Sequence, residues 1–150
     1  MPSSLTNLVL HIVFSTKNRT KLITADLKPK LYSYIGGIIR GERGDLLTIG
    51  GMPDHMHLLA RLPSTLSTAD FLRRIKGNSS KWVGDQTWYL EPFTWQRGYA
   101  AFSVSQSLVG KVREYIENQE NHHKNTPFQD ELVSLLKRHG VEYDEEYIWT

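Results

Sequence analysis

Apolar and polar positions along the chain fall into segments of two periods. Leu8 to Ser15 is an apolar run rich in β-branched and aromatic residues, closed by the polar stretch Thr16 to Thr20. It predicts a buried strand. From Thr24 to Arg43 the apolar positions Leu27, Leu31, Tyr34, Ile35 and Ile38 recur at helical spacing, with Gly44 as the stop, which predicts an amphipathic helix. Leu46 to Ile49 and His55 to Leu62 read as two short strands, joined in a hairpin by a turn over Gly50-Gly51-Met52-Pro53-Asp54. Ser67 or Thr68 can cap a second helix to about Val83, with Phe71, Leu72 and Ile75 inward and Arg73, Arg74, Lys76 and Lys81 outward. A fourth strand is predicted within Tyr99 to Val104. Ser105 or Ser107 then caps a third helix to about His123, and Asp130 to His139 forms a short last one.

The predicted order, β-α-β-β-α-β-α, contains two strand-helix-strand halves. It points to an α+β fold with a ferredoxin-like antiparallel sheet, the first two helices on one face and the tyrosine-bearing third helix free to cover the other. At 150 residues, without repeats or low-complexity tracts, residues 1–150 are expected to form one domain.

Charge adds an asymmetry. Up to Lys111 there are 14 basic and 7 acidic residues, and after it 4 and 9. A basic body suited to a polyanion therefore precedes an acidic C-terminal segment. Cysteine is absent, so any metal must be held by nitrogen or oxygen donors. No apolar stretch reaches the ~18 residues of a membrane span, and the expectation is a cytoplasmic protein with no membrane partner.

Chemistry concentrates in two places. In His55-Met56-His57-Leu58-Leu59 the histidines lie two apart on a predicted strand, so both point to one face while Met56, Leu58, Ala60 and Leu62 pack under the helices. His11, Val13 and Ser15 share the histidine face. In Tyr115-Ile116-Glu117-Asn118-Gln119 the phenol and the carboxamide are one helical turn apart. His55, His57 and Gln119 make three ligands, and Tyr115 a nucleophile beside a bound phosphate. The plainer readings stay open on these residues alone: a hydrogen-bonded histidine pair, and a tyrosine that extends the stripe Leu108, Val112 and Ile116. Asp54 suits either an outer partner of the metal site or an ordinary turn residue. For His122 and His123, ordinary placement at a helix C-terminus is the expectation.

Together, His55-Met56-His57 followed by Tyr115 and Gln119 resembles the HUH single-tyrosine transposases of small insertion sequences, including the REP-associated tyrosine transposases. The resemblance extends to Leu10–Lys17, to Pro53–His57 and to Trp95–Ser105. It implies a divalent cation, Mg2+ or Mn2+, on His55, His57 and Gln119, and attack by Tyr115 on a phosphodiester of single-stranded DNA to leave a 5′-phosphotyrosine. It also implies a homodimer that binds hairpins at element ends, with Tyr115 acting in its own subunit or in the partner. No nucleotide cofactor is expected, because the phosphotyrosine keeps the bond energy and no phosphate loop is present. Two imidazoles and an amide are an unusual set for magnesium; the DNA phosphate can supply the missing hard oxygen.

For DNA contact the candidates are Arg73, Arg74, Lys76 and Lys81 on the second helix, and Lys17 and Arg19 after the first strand. Trp82, Trp88, Trp95 and Tyr99 are candidate stacking residues, most of them expected in the core. The rival readings are a nicking replication initiator or relaxase of the same chemistry, and a domesticated hairpin-binding protein that does not cut.

Overall fold

Strand β1 (Leu8–Ser15) lies in the middle of the sheet because it is covered on both faces from Val9 onward, and the sheet is built outward from it. In the computed structural model, which describes residues 4–123 and 126–150, α1 (Leu27–Gly41), β2 (Asp45–Met52), β3 (His55–Leu62), α2 (Thr68–Gly84) and β4 (Ala100–Ser103) follow in order. They are succeeded by α3 (Val109–Glu117), α4 (Gln119–His122) and α5 (Phe128–Arg138). The sheet order is β2-β3-β1-β4 with every pair antiparallel. This is the ferredoxin-like arrangement expected from the element order.

Alternation along the strands divides the sheet into two chemically different faces. Ile12 and Phe14 of β1 and Met56, Leu58 and Ala60 of β3 join Leu31, Ile35 and Ile39 of α1 and Phe71, Leu72 and Ile75 of α2 in the main core. Each fully buried side chain of this kind contributes roughly 1.5–3 kcal/mol, so the sheet is a firm platform. Ser67 caps α2, accepting the Asp70 amide at 3.1 Å. The opposite face carries His11, Val13, Ser15, His55, His57 and Leu59, and α3, α4 and α5 cover it.

Four local predictions are corrected. Gly50 and Gly51 belong to β2, paired with His57 and Met56, and the turn shrinks to Pro53 and Asp54. A Cβ on Gly50 would lie 2.4 Å from the Ile116 carbonyl oxygen; glycine is there because the α3 backbone rests directly on β2. The third helix is not continuous to His123: after a short 3-10 turn over Gln106–Leu108 it runs as α3, breaks at Asn118 (φ −97°, ψ 20°) and resumes as α4. Neither Ser105 nor Ser107 caps it, since their hydroxyls bond each other at 3.0 Å. The last helix starts two residues earlier than expected, at Phe128.

Candidate active site

Strand register sets the first part of the site. His57 pairs with Val13 and His55 with Ser15, so the two imidazoles stand side by side on the covered face, both fully buried. Each is oriented from behind through Nδ1. The His55 Nδ1–H donates to Asp54 Oδ1 at 2.7 Å, and His57 Nδ1 meets His11 Nε2 at 2.8 Å. Both Nε2 atoms therefore turn toward the helices.

What they meet there is a carboxylate. Glu131 of α5 lies at the centre of the cluster with its side chain 1% exposed. Its Oε1 accepts from His57 Nε2 and from His123 Nε2, each at 3.0 Å, and lies 3.5 Å from His55 Nε2. Its Oε2 accepts from the Tyr115 hydroxyl and from Gln119 Nε2 at 3.0 Å, with His122 Nε2 at 3.4 Å. Gln119 Oε1 in turn accepts from His55 Nε2 at 3.2 Å. The sequence pair His55 and His57 and the sequence pair Tyr115 and Gln119 thus converge within one chain.

Charges follow from this packing. Burial by itself would lower the His55 pKa, but the hydrogen bonds to Asp54 and Glu131 outweigh it and raise the imidazole to about 9. Burial and the neighbouring His57 push His11 down to about 3, and burial also lowers His57. Neutral His11 therefore donates its Nε2–H to His57 Nδ1, and His57 donates its own Nε2–H to Glu131. Burial would raise the Glu131 carboxyl, yet hydrogen bonds from His123, His55 and His57 hold it far below the usual carboxylate range. Burial, then Glu131, pushes the Tyr115 phenol above its ordinary value.

The donor set fits a divalent cation. One nitrogen each from His55, His57 and His123 and one oxygen from Glu131 all lie within 4.8 Å of one another. Ligand bonds of about 2.1 Å put donors roughly 3 to 4.2 Å apart, so a small contraction suffices.

Neither His123 nor Glu131 is where the sequence reading puts its ligands. His122 and His123 both turn to the site rather than merely ending a helix, and the His123 ring nitrogen Nδ1 bonds the Thr126 carbonyl at 2.5 Å. The available signal for Glu131 is its spacing: Phe128, Leu132, Leu135 and Leu136 form the buried stripe of α5, and a carboxylate at position 131 falls on that stripe.

The basic candidates divide. Arg73 and Lys81 are exposed, Arg73 pairing with Asp70 at 2.9 Å, while Arg74 pairs with Glu42. Lys76 instead turns inward, its Nζ donating to the carbonyls of Arg97 at 3.0 Å and Gly98 at 2.7 Å. Lys17 is exposed, and Arg19 lies over the Trp149 ring at 5.2 Å. Two clefts flank residues 94–97. One, of about 420 Å³, is lined by Arg73, Lys76 and Tyr99, and the other, of about 660 Å³, by Lys17, Tyr147 and Trp149. Trp95 is core, its Nε1–H donating to Ser79 Oγ at 2.9 Å, Trp82 stacks on Tyr34, and Trp88 and Tyr99 are partly exposed. Among the described residues no helix is long and apolar enough to cross a membrane.

Against known proteins, the sequence profile of the IS200-like transposases matches residues 4–119. The chain is 23% identical over 122 residues to the ISDra2 transposase TnpA of Deinococcus radiodurans, covering 73% of this chain and 81% of that one. It is 26% identical over 118 residues to the transposase for insertion sequence element IS200 of Salmonella typhimurium, covering 75% and 77%. In structure it is similar to a candidate transposase from Deinococcus radiodurans R1 (TM-score 0.61, 23% identity, 79% of this chain and 95% of that one). It is also similar to the REP-associated tyrosine transposase bound to a REP hairpin (TM-score 0.62, 18% identity, 82% and 72%). These two likenesses concern the fold.

Proposed function

The chain belongs to the IS200-like transposase family, and from that premise we propose that it cuts and rejoins single-stranded DNA, with Tyr115 as nucleophile and a divalent cation on His55, His57 and Gln119. The observation that carries this reading is the meeting of Tyr115 and Gln119 with both histidines around one buried point. Each residue has a role its surroundings support. Asp54 and His11 hold the imidazoles with Nε2 inward. Gln119 brings a carboxamide oxygen to His55. Tyr115 is half-buried and meets the cluster through its hydroxyl.

In the reaction the Tyr115 oxygen forms a bond to the scissile phosphorus and the bond to the DNA 3′-oxygen breaks. Glu131 Oε2 orients the Tyr115 hydroxyl; the phenolic proton passes to solvent as the bond forms, and the departing 3′-oxygen takes a proton from water. A divalent cation, Mg2+ or Mn2+, held by His55, His57 and Gln119 would supply positive charge to polarise the phosphate and offset the charge developing on it. Attack by a DNA 3′-hydroxyl on the 5′-phosphotyrosine reverses these steps and joins strands, without a nucleotide cofactor.

As substrate we infer hairpin-forming single strands, held by the exposed Lys17, Arg73 and Lys81 and by Arg19, with Arg74 and Lys76 bracing the same helix. Residues 1–150 act in this reading as one domain, in a homodimer whose two sites are each complete within one chain.

The test is incubation of the protein with labelled single-stranded hairpin DNA and Mg2+ or Mn2+, followed by denaturing electrophoresis. A covalent adduct is expected, lost with EDTA. No adduct on any hairpin, with binding retained, would favour the non-cutting reading. Mixing Tyr115→Phe with His57→Ala chains tests the cis site: the mixture stays inactive, whereas a swapped site would regain the adduct.

A further inference from the structure

The buried carboxylate at the centre of the cluster has a consequence for how the cation is held. Glu131 is satisfied by N–H groups on His57 and His123, with the His55 imidazole beside it. A cation on His55 and His57 takes the Nε2 lone pairs, and an imidazole that ligates through Nε2 carries no proton there. Metal binding therefore removes donors that hold Glu131. His123 then remains as the donor on Oε1, with Tyr115 and Gln119 still on Oε2. A buried carboxylate that loses the donors His55 and His57 is disfavoured, and the cation that displaces them is a new positive partner within reach.

Packing leaves Glu131 little freedom to withdraw. The Phe128 ring stacks on His55 at 4.3 Å, and Leu132, Leu135 and Leu136 pack with Val13 and Phe102. The carboxylate is delivered by an apolar helix face fixed one turn on either side of it.

We propose that Glu131 is a direct ligand of the cation through Oε1, so that this chain binds its metal with two imidazoles, a carboxamide and a carboxylate before DNA arrives. The two oxygens divide the work. Oε1 faces His55, His57 and His123, whereas Oε2 faces Tyr115 and Gln119 Nε2. Ligation through Oε1 leaves Oε2 to position the Tyr115 hydroxyl. A carboxylate also supplies the hard oxygen that magnesium and manganese prefer and that two histidines and a glutamine lack. Four protein ligands would still leave room for a phosphate oxygen and water. Glu131 lies beyond the stretch matched by the family profile, which ends at residue 119.

The proposal rests on the cation site proposed above, and its test separates the two. Mn2+ is titrated into the full DNA-free chain by calorimetry, with EPR to count bound metal. The wild type is expected to bind one equivalent, and Glu131→Gln to bind at least tenfold more weakly, as His57→Ala does. Circular dichroism checks that each variant is folded. Should Glu131→Gln not fold, electron–nuclear double resonance on the wild type, labelled with 13C at its glutamate carboxyls, decides: a directly bonded carboxylate gives a strong 13C coupling to Mn2+. Wild-type affinity in folded Glu131→Gln, absence of that coupling, or a wild type that binds no Mn2+ without DNA overturns the proposal. If Glu131→Gln binds Mn2+ normally while the wild type forms the tyrosyl–DNA adduct, the ligand assignment falls and the transposase reading stands. If metal binding needs Glu131 but no hairpin yields an adduct, the reverse holds.

Discussion

The Tyr115 hydroxyl donates its proton to Glu131 Oε2, the oxygen that also accepts from Gln119 Nε2 at 3.0 Å. The nucleophile is thus held at its proton by the same group that joins the two halves of the site. Tyr115→Phe removes both the attacking oxygen and this bond. The covalent DNA adduct is expected to vanish on denaturing gels, while hairpin affinity by filter binding stays within about twofold and stability falls by about 1–2 kcal/mol.

Asp54 fixes the His55 ring at 2.7 Å through Nδ1. Asp54→Asn keeps the size of the side chain and loses the charge. Mn2+ affinity measured by calorimetry is expected to fall by roughly 10- to 100-fold, as for other outer partners of metal-binding histidines. Unchanged affinity would mean that packing alone orients the ring.

Gly50 bears on the site from a distance. A methyl group there meets the Ile116 carbonyl oxygen at 2.4 Å, and both elements at that contact are backbone. Gly50→Ala should displace α3, with a loss of about 1–3 kcal/mol in urea unfolding. Tyr115 and Gln119 flank Ile116, so adduct formation should drop about tenfold or more. Wild-type activity in this variant would show that α3 need not rest on β2.

Lys76 gives the fold a pH dependence. Burial lowers its ammonium from 10.5 to about 8. Between those values the unfolded chain binds more protons than the folded one, so stability rises with pH across this window and is level outside it. Discounted for partial exposure, the rise is on the order of 1 kcal/mol. The difference between wild type and Lys76→Met, followed by denaturant unfolding from pH 7 to pH 11, should contain this rise. A flat difference would mean that the carbonyls of Arg97 and Gly98 fully offset the burial.

Arg73 and Lys81 are exposed on α2 and Lys17 beyond β1. If they contact phosphates, each neutralisation lowers the log–log salt slope of hairpin binding by about 0.7–0.9. Arg73→Ala, Lys81→Ala and Lys17→Ala, measured between 50 and 200 mM salt as is usual for such work, test each position. An unchanged slope removes that residue from the interface.

Much of this was legible in local pattern. The bounds of β1 and β3, the shared face of His55 and His57 and the apolar underside Met56, Leu58 and Ala60 follow from the two-residue repeat of a strand, and the expected nearness of Tyr115 and Gln119 holds despite the break at Asn118, since both bond Glu131 Oε2. Those periods are properties of the backbone, and any chain shows them in its sequence.

What the sequence left open is what depends on distances between elements. Gly50 reads as a turn residue until α3 is seen resting on it, and the break at Asn118 has no punctuation in the sequence. Lys76 reads as one more basic residue of an exposed face until the carbonyls of residues 97 and 98 are beside it. Glu131 is the clearest case. It stands 74 residues from His57, in a helix whose pattern says that position 131 is buried but not what it is buried against. The sequence determined two pairs of reactive side chains, each set by its own element. Only the tertiary structure decided that they meet in one chain, around a carboxylate, because convergence is fixed by how helices pack across the sheet and no local repeat encodes that.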